Sequence, residues 1–576
     1  MTKMTGAEIV VQALEDEGVP FAFGIPGTHN IELYDALSRA GKVRPILVTD
    51  EQSASFMADG VSRSSGLLGC VNVVPGAGLT HALSGIAEAY LDGIPMLVLG
   101  CGTRTDTGKA YQLHDVDQMA MVRPVTKAQL KPEQGSDLYA TVRRACRIAR
   151  AAPAGPAFVE VPVNLYLSRH EPDLDAFAGE APSTPEPDPQ LLTRARELLA
   201  ESRRPLLYLG LGAASAGADL VALAEQLEAP VATTIQGKGI FPESHPLWLW
   251  CGFGPAAPDF VRKVAAGCDL MLAVGCRFSE VGTGSYGLEP PGPLVHVDVD
   301  ASVLGRNYFA DVQIVSDARA FVAALLPKLD HRATDSGLRE AIGRGRAEVD
   351  AGWKDGSQDR VSPARLLKGL QEVYGADAIY TTDSGNGTFL AMEILRIDRP
   401  RSFLAPVDYS CMGYSVPAAL GAALACPDRP AVALAGDGAF LMTGLELLTA
   451  AQLQLPVTIL VLRDRELAQI AQFQQAALAR KTASRLPDFD LEAICRAVGV
   501  EYLPIAGDDR VLRVLCEARS IHSDGRPVVM EVEIDYSQAT YFTRGVVRTT
   551  LGRLPWPDRL RFLARALARR LPGPGW

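Results

Sequence analysis

One stretch of forty residues, 431–470, constrains the fold of this chain more than any other. An apolar run, Ala431 to Ala435, is followed at once by Gly-Asp-Gly, and a helical pattern then leads to a second apolar run, Val457 to Leu462. Strand, glycine turn, helix and strand in this order predict a parallel βαβ unit. Asp437 and Asp464 follow the two strands, so both carboxylates are expected at one edge of a sheet. This arrangement suits a divalent metal ion that bridges to a phosphate group.

The rest of the 576 residues repeats short apolar strands and helical patterns. Such repetition predicts an α/β fold with doubly wound parallel sheets, and the length suits three or four domains. A proline-rich segment, residues 181–190, is interpreted as a linker between the first two. The predicted units are domains at residues 1–180, 190–328 and 360–545, followed by a basic amphipathic tail at 546–576.

Composition excludes several classes of protein. The net charge of −11 argues against a general nucleic-acid-binding protein, which needs a basic face. The first 18 residues predict an acidic amphipathic helix and not a signal peptide, and no apolar run approaches the roughly 18 residues that span a bilayer. The ten cysteines are scattered, which favours free thiols and a cytoplasmic location.

A glycine turn in the central domain raises the question of a dinucleotide site. Gly210 and Gly212 lie at the end of a predicted strand, Pro205 to Gly212, but the third glycine of the dinucleotide-binding fingerprint is absent from the sequence that follows. A tight turn between strand and helix is therefore preferred, and a nicotinamide dehydrogenase is disfavoured.

The tail predicts an amphipathic helix. Leucines repeat on one face and arginines on the opposite face: Leu560, Leu563, Leu567 and Leu571 against Arg561, Arg565 and Arg569. We expect this helix to pack on the body of the protein or on a neighbouring subunit. Attachment to an anionic membrane surface is the alternative.

Several further motifs stand in a fixed order along the chain. They are Ile-Pro-Gly-Thr-His-Asn at 25–30, Glu51, Pro-Gly-Ala-Gly at 75–78, Leu-His-Asp-Val-Asp-Gln at 113–118, Ser-Cys-Met-Gly-Tyr at 410–414, and Gly-Asp-Gly at 436–438 with Arg-Asp at 463–464. In this order they resemble the thiamine-diphosphate-dependent enzymes, and the branch of acetohydroxyacid (acetolactate) synthases and 2-oxo-acid decarboxylases in particular. The resemblance covers the chain except for about its last 30 residues.

The resemblance implies a pyrimidine-binding, a central and a diphosphate-binding domain. It also implies thiamine diphosphate and Mg²⁺ as cofactors, with a 2-oxo acid and an aldehyde or ketone acceptor as substrates. Active sites in this family lie between the first domain of one subunit and the third domain of another. A homodimer or homotetramer is therefore expected.

The same resemblance assigns residues to the cofactor. Asp437 and Asp464 would bind Mg²⁺ through their side chains, and Glu466 through its main-chain oxygen. Arg463 replaces an asparagine of the family pattern, and would either contact the diphosphate or point to solvent. The positions that match cofactor contacts, with Met412 as the wedge that bends the cofactor, are Pro26, Gly27, Glu51, Gly76, Asn386, Gly387, Ser410, Met412, Gly436, Gly438 and Ala439.

Glu51 matches the catalytic glutamate that hydrogen-bonds a nitrogen of the aminopyrimidine ring. A carboxyl group in an apolar pocket has a raised pKa and can share the proton that this chemistry needs. The alternative is a helix N-terminal carboxylate that the helix dipole stabilises. On the substrate side, Thr28, His29 and His114 are candidate catalytic residues, because histidine can donate a proton near neutral pH.

The resemblance favours an acetolactate-synthase-like carboligase, in which a thiazolium-bound enamine attacks a second carbonyl group. A non-oxidative 2-oxo-acid decarboxylase is the first alternative, and the turn at 25–30 also resembles that of decarboxylases acting on guanidino oxo acids. An FAD-containing oxidase of the same family and a catalytically silent homologue are further alternatives.

Overall fold

The computed structural model describes residues 3–175, 184–354 and 359–569. It contains three six-stranded sheets in which every pairing is parallel, each flanked by helices. The predicted α/β class with three parallel-sheet domains is therefore confirmed. Leu571 and residues 176–183, which include the start of the predicted linker, lie outside the described residues. Within the described ranges, no helix is both long and apolar enough to cross a membrane.

The first domain has the strand order β3-β2-β4-β5-β7-β6, and β1 pairs with β8 in a small antiparallel ribbon. Its strands are β1 (Met4–Thr5), β2 (Phe21–Gly24), β3 (Arg44–Leu47), β4 (Gly69–Val73), β5 (Met96–Gly102), β6 (Ala128–Leu130), β7 (Pro156–Pro162) and β8 (Arg169–His170). Its helices are α1 (Gly6–Asp16), α2 (Ile31–Ala40), α3 (Glu51–Ser65), α4 (Ala77–Asp92), α5 (Gln118–Val122), α6 (Leu138–Arg150) and α7 (Val163–Leu167).

The central domain has the strand order β11-β10-β9-β12-β13-β14. Its strands are β9 (Pro205–Leu209), β10 (Val231–Thr233), β11 (Trp248–Cys251), β12 (Leu270–Val274), β13 (Leu294–Asp298) and β14 (Val312–Val315), and its helices are α8 (Pro189–Glu201), α9 (Ala218–Leu227), α10 (Asp259–Ala266) and α11 (Ala318–Leu325). A Cβ atom on Gly210 would lie 2.1 Å from the Gly275 carbonyl oxygen. Close packing therefore accounts for a glycine at this turn.

The third domain has the strand order β16-β15-β17-β18-β20-β19, so the two strands of the opening stretch are central neighbours. Its strands are β15 (Ile379–Thr382), β16 (Phe403–Leu404), β17 (Ala431–Gly436), β18 (Val457–Arg463), β19 (Glu501–Ile505) and β20 (Val528–Glu533). The helices that follow the central domain are α12 (Ser336–Ala351), α13 (Pro363–Tyr374), α14 (Asn386–Ile394), α15 (Ser415–Ala425), α16 (Asp437–Thr443), α17 (Leu447–Gln452), α18 (Ala468–Leu478), α19 (Leu491–Val498), α20 (Val511–Ser523), α21 (Tyr541–Arg553) and α22 (Trp556–Ala568). Short 3₁₀ helices lie at Arg123–Val125, Gly135–Asp137, Leu211–Ala216, Gly254–Ala256, Leu326–Lys328, Gly444–Glu446 and Asp508–Arg510.

The first and third domains pack on each other through α3 and α15. A Cβ atom on Gly60 of α3 would lie 2.4 Å from the carbonyl oxygen of Ala418. A Cβ atom on Gly421 of α15 would lie 2.2 Å from the carbonyl oxygen of Met57. Because each helix places a glycine where the other passes, the two backbones approach more closely than larger side chains would allow.

The helical segment between β17 and β18 differs from the sequence pattern. It consists of two short helices, α16 and α17, joined by a 3₁₀ turn. Leu445, Leu448, Ala451 and Leu455 are spaced to form one apolar face of the predicted helix, yet Leu445 and Leu448 are 60% and 47% exposed, and Leu441 and Met442 are exposed beside them. The apolar face is thus only partly covered by this chain.

The tail contacts the body of the protein. Helix α21 runs across the predicted boundary at 545–546, and a Cβ atom on Gly545 would lie 2.2 Å from Cα of Ala256 in the central domain. At the end of α22, the Arg569 guanidinium donates a hydrogen bond to the carbonyl oxygen of Ala477 in α18. These contacts support packing on the body for this helix, while membrane attachment stays a prediction.

Candidate active site

Asp437 and Asp464 lie next to each other at the carboxyl edge of the third sheet. Asp437 begins α16 immediately after β17, and its carboxylate accepts hydrogen bonds from the backbone N–H groups of Gly438, Asp464 and Arg465 at 2.8, 3.2 and 2.7 Å. Asp464 follows β18 and accepts a hydrogen bond from the Glu466 N–H at 3.3 Å. The backbone therefore fixes both carboxylates in adjacent positions, as the sequence predicts.

The charges of these carboxylates are poorly compensated without a cation. Burial raises the pKa of Asp437. Burial and the neighbouring charge of Asp437 raise the pKa of Asp464 to about 7. The carbonyl oxygen of Glu466 accepts no hydrogen bond from the described residues. Two carboxylates and a free carbonyl are hard oxygen ligands of the kind that Mg²⁺ prefers, so the residues present fit this metal.

Glycine turns lie beside the two carboxylates. A Cβ atom on Gly436 would have no neighbour within 4 Å, so the backbone is open to a ligand there. Asn386 and Gly387 begin α14 after the neighbouring strand β15, with Asn386 Nδ2 donating to Gln472 Oε1 at 3.2 Å. Ala439 is buried in the first turn of α16. Backbone N–H groups at the starts of such helices suit a diphosphate group.

The segment before α15 lies against the same turns. Met412 Cε is 3.6 Å from the position of a Cβ atom on Gly438, so the methionine lies over the Gly-Asp-Gly turn. Ser410 has φ of 64°, and its hydroxyl lies 2.8 Å from that of Ser384 beside α14. The structure thus brings Ser410 and Met412 to the predicted cofactor site, and their roles in binding stay predictions.

Arg463 does not point to solvent, so that alternative is wrong. Its side chain is buried, donates to Asp488 and to the Phe489 carbonyl at 2.6 and 3.2 Å, and lies 3.9 Å from the centre of the Phe489 ring. Its Nε atom is also 3.1 Å from the Glu531 carboxylate. Alternation along β18 places its neighbour Leu462 beside Gly387 on the other face of the sheet. Arg463 is therefore bound away from the α14 turn.

In the first domain, Glu51 is buried at the start of α3. A Cβ atom on Gly78 would lie 2.8 Å from Glu51 Oε1, so a glycine at this position leaves room for the carboxylate. His81 Nδ1 is 3.5 Å from the other carboxylate oxygen. The helix N-cap is Asp50, whose side chain accepts the Gln52 N–H, so Glu51 itself is not needed as a cap.

The turn with Pro26 and Gly27 lies beside the Pro-Gly-Ala-Gly turn. Asn30 closes it, because its side chain accepts from the Gly27 N–H at 2.7 Å and donates to the Ile25 carbonyl at 3.3 Å. A Cβ atom on Gly27 would lie 2.6 Å from Cγ1 of Val74. The two turns are thus held in contact.

The candidate substrate-side residues come together at the rim of these turns. The Thr28 hydroxyl is 3.1 Å from His29 Nδ1, and the rings of His29 and His114 lie 5.5 Å apart in an edge-to-face arrangement. The His114 carbonyl oxygen is 3.4 Å from the position of a Cβ atom on Gly76. Burial, together with the nearby His114, lowers the pKa of His29.

Sequence reasoning missed residues that support these turns. Gln118 accepts a hydrogen bond from the Gly76 N–H at 3.1 Å and donates to the Cys101 carbonyl at 2.9 Å. Gln118 is the last residue of the motif at 113–118, so the motif pointed to it, but no role was predicted for it. Asn30 is likewise the last residue of the motif at 25–30, and no role was predicted for it. Gln472, which holds Asn386, had no signal in the sequence.

Within one chain, Glu51 and the segment that carries Met412 are associated with different turns of α3. Glu51 begins this helix, whereas the Tyr414 hydroxyl, two residues after Met412, donates to Asp59 one residue past its middle. Eight residues of α-helix separate Glu51 from Asp59, which is about 12 Å. Tyr414 thus contacts α3 about two turns away from Glu51, whereas Glu446 of the third domain accepts hydrogen bonds from Thr49, just before α3.

Comparison with protein-family models identifies all three domains. Residues 4–121, 192–325 and 383–532 match the models of the N-terminal TPP binding domain, the central domain and the C-terminal TPP binding domain of thiamine pyrophosphate enzymes. The chain belongs to the thiamine pyrophosphate enzyme family. The family predicted from the motifs is therefore confirmed, and each matched segment contains one of the three parallel sheets or most of it.

Curated members of the thiamine pyrophosphate enzyme family resemble the chain along most of its length. A probable acetolactate synthase large subunit of Methanocaldococcus jannaschii is 32% identical, with 93% of each chain covered. The acetolactate synthase isozyme 3 large subunit of Escherichia coli is 30% identical, over 94% of this chain and 96% of its own. A probable 2-ketoarginine decarboxylase of Pseudomonas aeruginosa is 35% identical, over 81% of this chain and 83% of its own.

Proposed function

We propose that this protein is a thiamine-diphosphate- and Mg²⁺-dependent decarboxylase of 2-oxo acids. The observation that carries the proposal is the pairing of two half-sites: a buried carboxyl group in the first domain and a metal-ligand set beside open glycine turns in the third. When bound, the cofactor supplies a thiazolium ring that accepts the electrons left when carbon dioxide departs.

The third-domain half holds the cofactor in this proposal. Asp437, Asp464 and the carbonyl oxygen of Glu466 would bind the metal ion, whose charge would offset that of the diphosphate. The backbone at Gly436, Gly438, Asn386 and Gly387 would hold the phosphate oxygens. Because Asp437 is fixed by three backbone N–H groups, the metal ion would be placed with little freedom.

The first-domain half controls protons. Glu51 would hold a proton at a pyrimidine nitrogen of the cofactor, and its burial beside Gly78 would limit the access of water to that contact. The turns at Pro26, Gly27 and Gly76 would support the same ring. Met412 lies over the Gly-Asp-Gly turn, where it would keep the bound cofactor bent.

A second copy of the chain completes the site in our proposal. Within one chain Tyr414, two residues after Met412, contacts α3 at Asp59, which lies about 12 Å along the helix from Glu51. Four apolar side chains of α16, α17 and the turn between them are exposed: Leu441, Met442, Leu445 and Leu448. A homodimer that joins the first domain of one copy to the third domain of the other would cover them.

The candidate reactions differ in whether a proton or a second carbonyl group is added after carbon dioxide is lost. His29 and His114 form an imidazole pair at the rim, and this pair could donate the proton that an aldehyde product needs. This geometry favours simple decarboxylation. Carboligation to an acetolactate-like product is the second candidate, because the relatives named acetolactate synthase cover 93% and 94% of this chain.

Product analysis tests the proposal. Holoenzyme prepared with thiamine diphosphate and Mg²⁺ is incubated with a panel of 2-oxo acids, pyruvate included, and carbon dioxide, aldehyde and acetolactate are measured. We expect carbon dioxide and aldehyde in equal amounts. Acetolactate as the main product would favour the carboligase, and oxygen consumption by a yellow, FAD-containing protein would favour the oxidase. No release of carbon dioxide from any 2-oxo acid would refute the proposal.

A further inference from the structure

A cavity of about 250 Å³ lies between the central and third domains and opens beside the cofactor turns. Ser384, Gly385 and Ser410 are among its lining residues, and they are or adjoin the residues predicted to contact the cofactor. The cavity approaches the lower end of the roughly 300–1,000 Å³ typical of small-molecule sites. It is therefore placed to receive the part of a substrate that extends away from the reacting carbon.

Most of the cavity wall is apolar. Phe389 and Phe542 stack with ring centres 4.5 Å apart, and Val281 and Phe473 line the cavity with them. The other lining residues are small, hydroxyl-bearing, amide or aliphatic, with one exception. Glu280 is the charged residue among the described residues that line this cavity.

The loop that carries Glu280 is held in place by its own hydrogen bonds. The Glu280 carbonyl oxygen accepts from the Ser285 N–H at 2.8 Å, and the Thr283 hydroxyl donates to the Ser279 and Glu280 carbonyls. The Tyr208 hydroxyl, in β9, donates to the carbonyl of Gly282 in the same loop. The position of Glu280 is thus defined by the fold of the central domain.

The Glu280 carboxylate makes no ion pair with the described basic residues. The nearest basic residue in sequence, Arg277, pairs with Asp408 at 3.1 Å. Two carboxylates that are less exposed than Glu280 have basic partners: Asp408 pairs with Arg277, and Glu243 of the central domain pairs with Lys238. Glu280 is exposed and its carboxylate is solvated, and at the wall of an otherwise apolar cavity it can form an ion pair with a ligand that brings its own positive charge.

We propose that Glu280 binds a cationic group, such as a guanidinium, at the far end of a 2-oxo acid substrate. The apolar wall would contact the methylene groups between the two ends, while the oxo acid end faces the cofactor turns. A substrate with a negatively charged or short neutral tail would leave the Glu280 carboxylate without a partner, and it would therefore bind less tightly. This inference rests on the proposed function, whose substrate class it narrows.

Two isosteric substrates separate charge from shape. The guanidino compound 5-guanidino-2-oxopentanoate carries a positive charge, and 5-ureido-2-oxopentanoate has the same length and planar end without it. We expect kcat/KM of the holoenzyme to be about tenfold to a hundredfold higher for the guanidino compound, as for a hydrogen bond to a charged group. In Glu280→Gln this preference should fall to within about threefold, with kcat/KM for the ureido compound unchanged.

The matched control is Glu289→Gln, which removes an exposed glutamate of the same domain that does not line the cavity. This control variant should keep the wild-type preference. A further variant, Glu280→Lys, should prefer the ureido compound to the guanidino compound. A wild-type enzyme without preference between the two compounds, or a preference that survives in Glu280→Gln, would overturn the inference.

The test also separates this inference from the proposed function. Decarboxylation of pyruvate but of neither long compound would overturn the inference and leave the proposed function intact. If no 2-oxo acid is decarboxylated, the proposed function fails, and calorimetric titration of the protein with unreactive 5-guanidinopentanoate then decides the inference. Binding that is weakened at least tenfold in Glu280→Gln would support it, and equal or absent binding would overturn it.

Discussion

The third-domain half of the active site is fixed by its own backbone, whereas the first-domain half lies open at its rim. Asp437 is held by three backbone N–H groups, and Asp464 is tied to the same turn. Around the first-domain half, Tyr111 is fully exposed and Leu113, next to His114, is 65% exposed. The charged groups of the third-domain half are fixed within the chain, whereas the rim of the first-domain half ends in exposed side chains.

This difference separates two tasks. A diphosphate–metal group needs fixed charges, which neighbouring strands of one sheet can supply without help. Proton transfer needs a dry pocket around Glu51 and the histidines, and water exclusion at an open rim requires a further surface. We therefore expect changes in the third-domain half to weaken cofactor binding, and changes in the first-domain half to lower kcat with the cofactor still bound.

The largest effect is expected for Glu51→Gln. Loss of the shared proton should lower kcat by about 10²- to 10⁴-fold, while the affinity for thiamine diphosphate changes by less than about threefold. Steady-state kinetics and calorimetric titration measure the two quantities. Glu492→Gln, an exposed glutamate in the first turn of α19, is the control. Unchanged kcat in Glu51→Gln, with a small loss of stability, would instead indicate a helix-dipole role.

Mixed subunits give the next prediction. Glu51→Gln and Asp437→Asn should each be inactive alone, but random reassociation after mixing should restore about a quarter of wild-type activity. Half of the dimers are then mixed, and one of their two sites has both residues intact. Activity of the mixture and of each variant incubated alone is compared after dissociation and reassociation. No recovery despite proven exchange of subunits would place each complete site within a single chain.

A smaller effect is expected for His114→Gln at the open rim. Aldehyde release should slow by about tenfold, less than for loss of a sole proton donor, because His29 lies 5.5 Å away. The fraction of acetolactate formed from pyruvate should rise. Product ratios measure this, and exposed His331→Gln serves as the control. A slowed reaction with an unaltered product ratio would indicate that His114 only supports the turn.

The smallest effect is expected on the stability of the metal-free protein, when the charge of Asp464 is removed. The pKa of Asp464 is about 7 in the folded chain, above its ordinary value of 3.8, so the folded state binds the proton more tightly. Stability is therefore lost as the pH rises from about 4 to 7. Asp464→Asn should stabilise the metal-free protein by about 1–2 kcal/mol at pH 8.5, after allowance for partial exposure, and by almost nothing at pH 4.

Urea unfolding of protein treated with a chelator measures this difference at the two pH values. Asp509→Asn, an exposed carboxylate, should show no such pH dependence. Equal effects of Asp464→Asn at both pH values would mean that its charge is already compensated in the metal-free chain.

Much of the third sheet could be predicted because its strands are continuous apolar runs. Strands β17 and β18 end within one residue of the predicted limits, and Asp437 and Asp464 follow from them. The first-domain turns were predicted from motifs that place glycine after a strand. Both kinds of signal are local in sequence.

Other features depend on residues that are distant in sequence. Arg463 is buried because Phe489 and Glu531, which come much later in the chain, supply its stacking surface and its charge partner. Leu445 is exposed because a 3₁₀ turn interrupts the helix, which the apolar spacing does not reveal. The cavity at Glu280 arises from six separate segments, so no single stretch of sequence indicates it.

The close approach of α3 and α15 also bears on how substrate enters and product leaves. Gly60 and Gly421 bring these helices so near that neither can slide along the other without backbone collision. We therefore expect the first and third domains to move together as one rigid body on the timescale of turnover. Opening of the path to the cofactor then falls to the central-domain loop and to α21, which border the cavity from the other side.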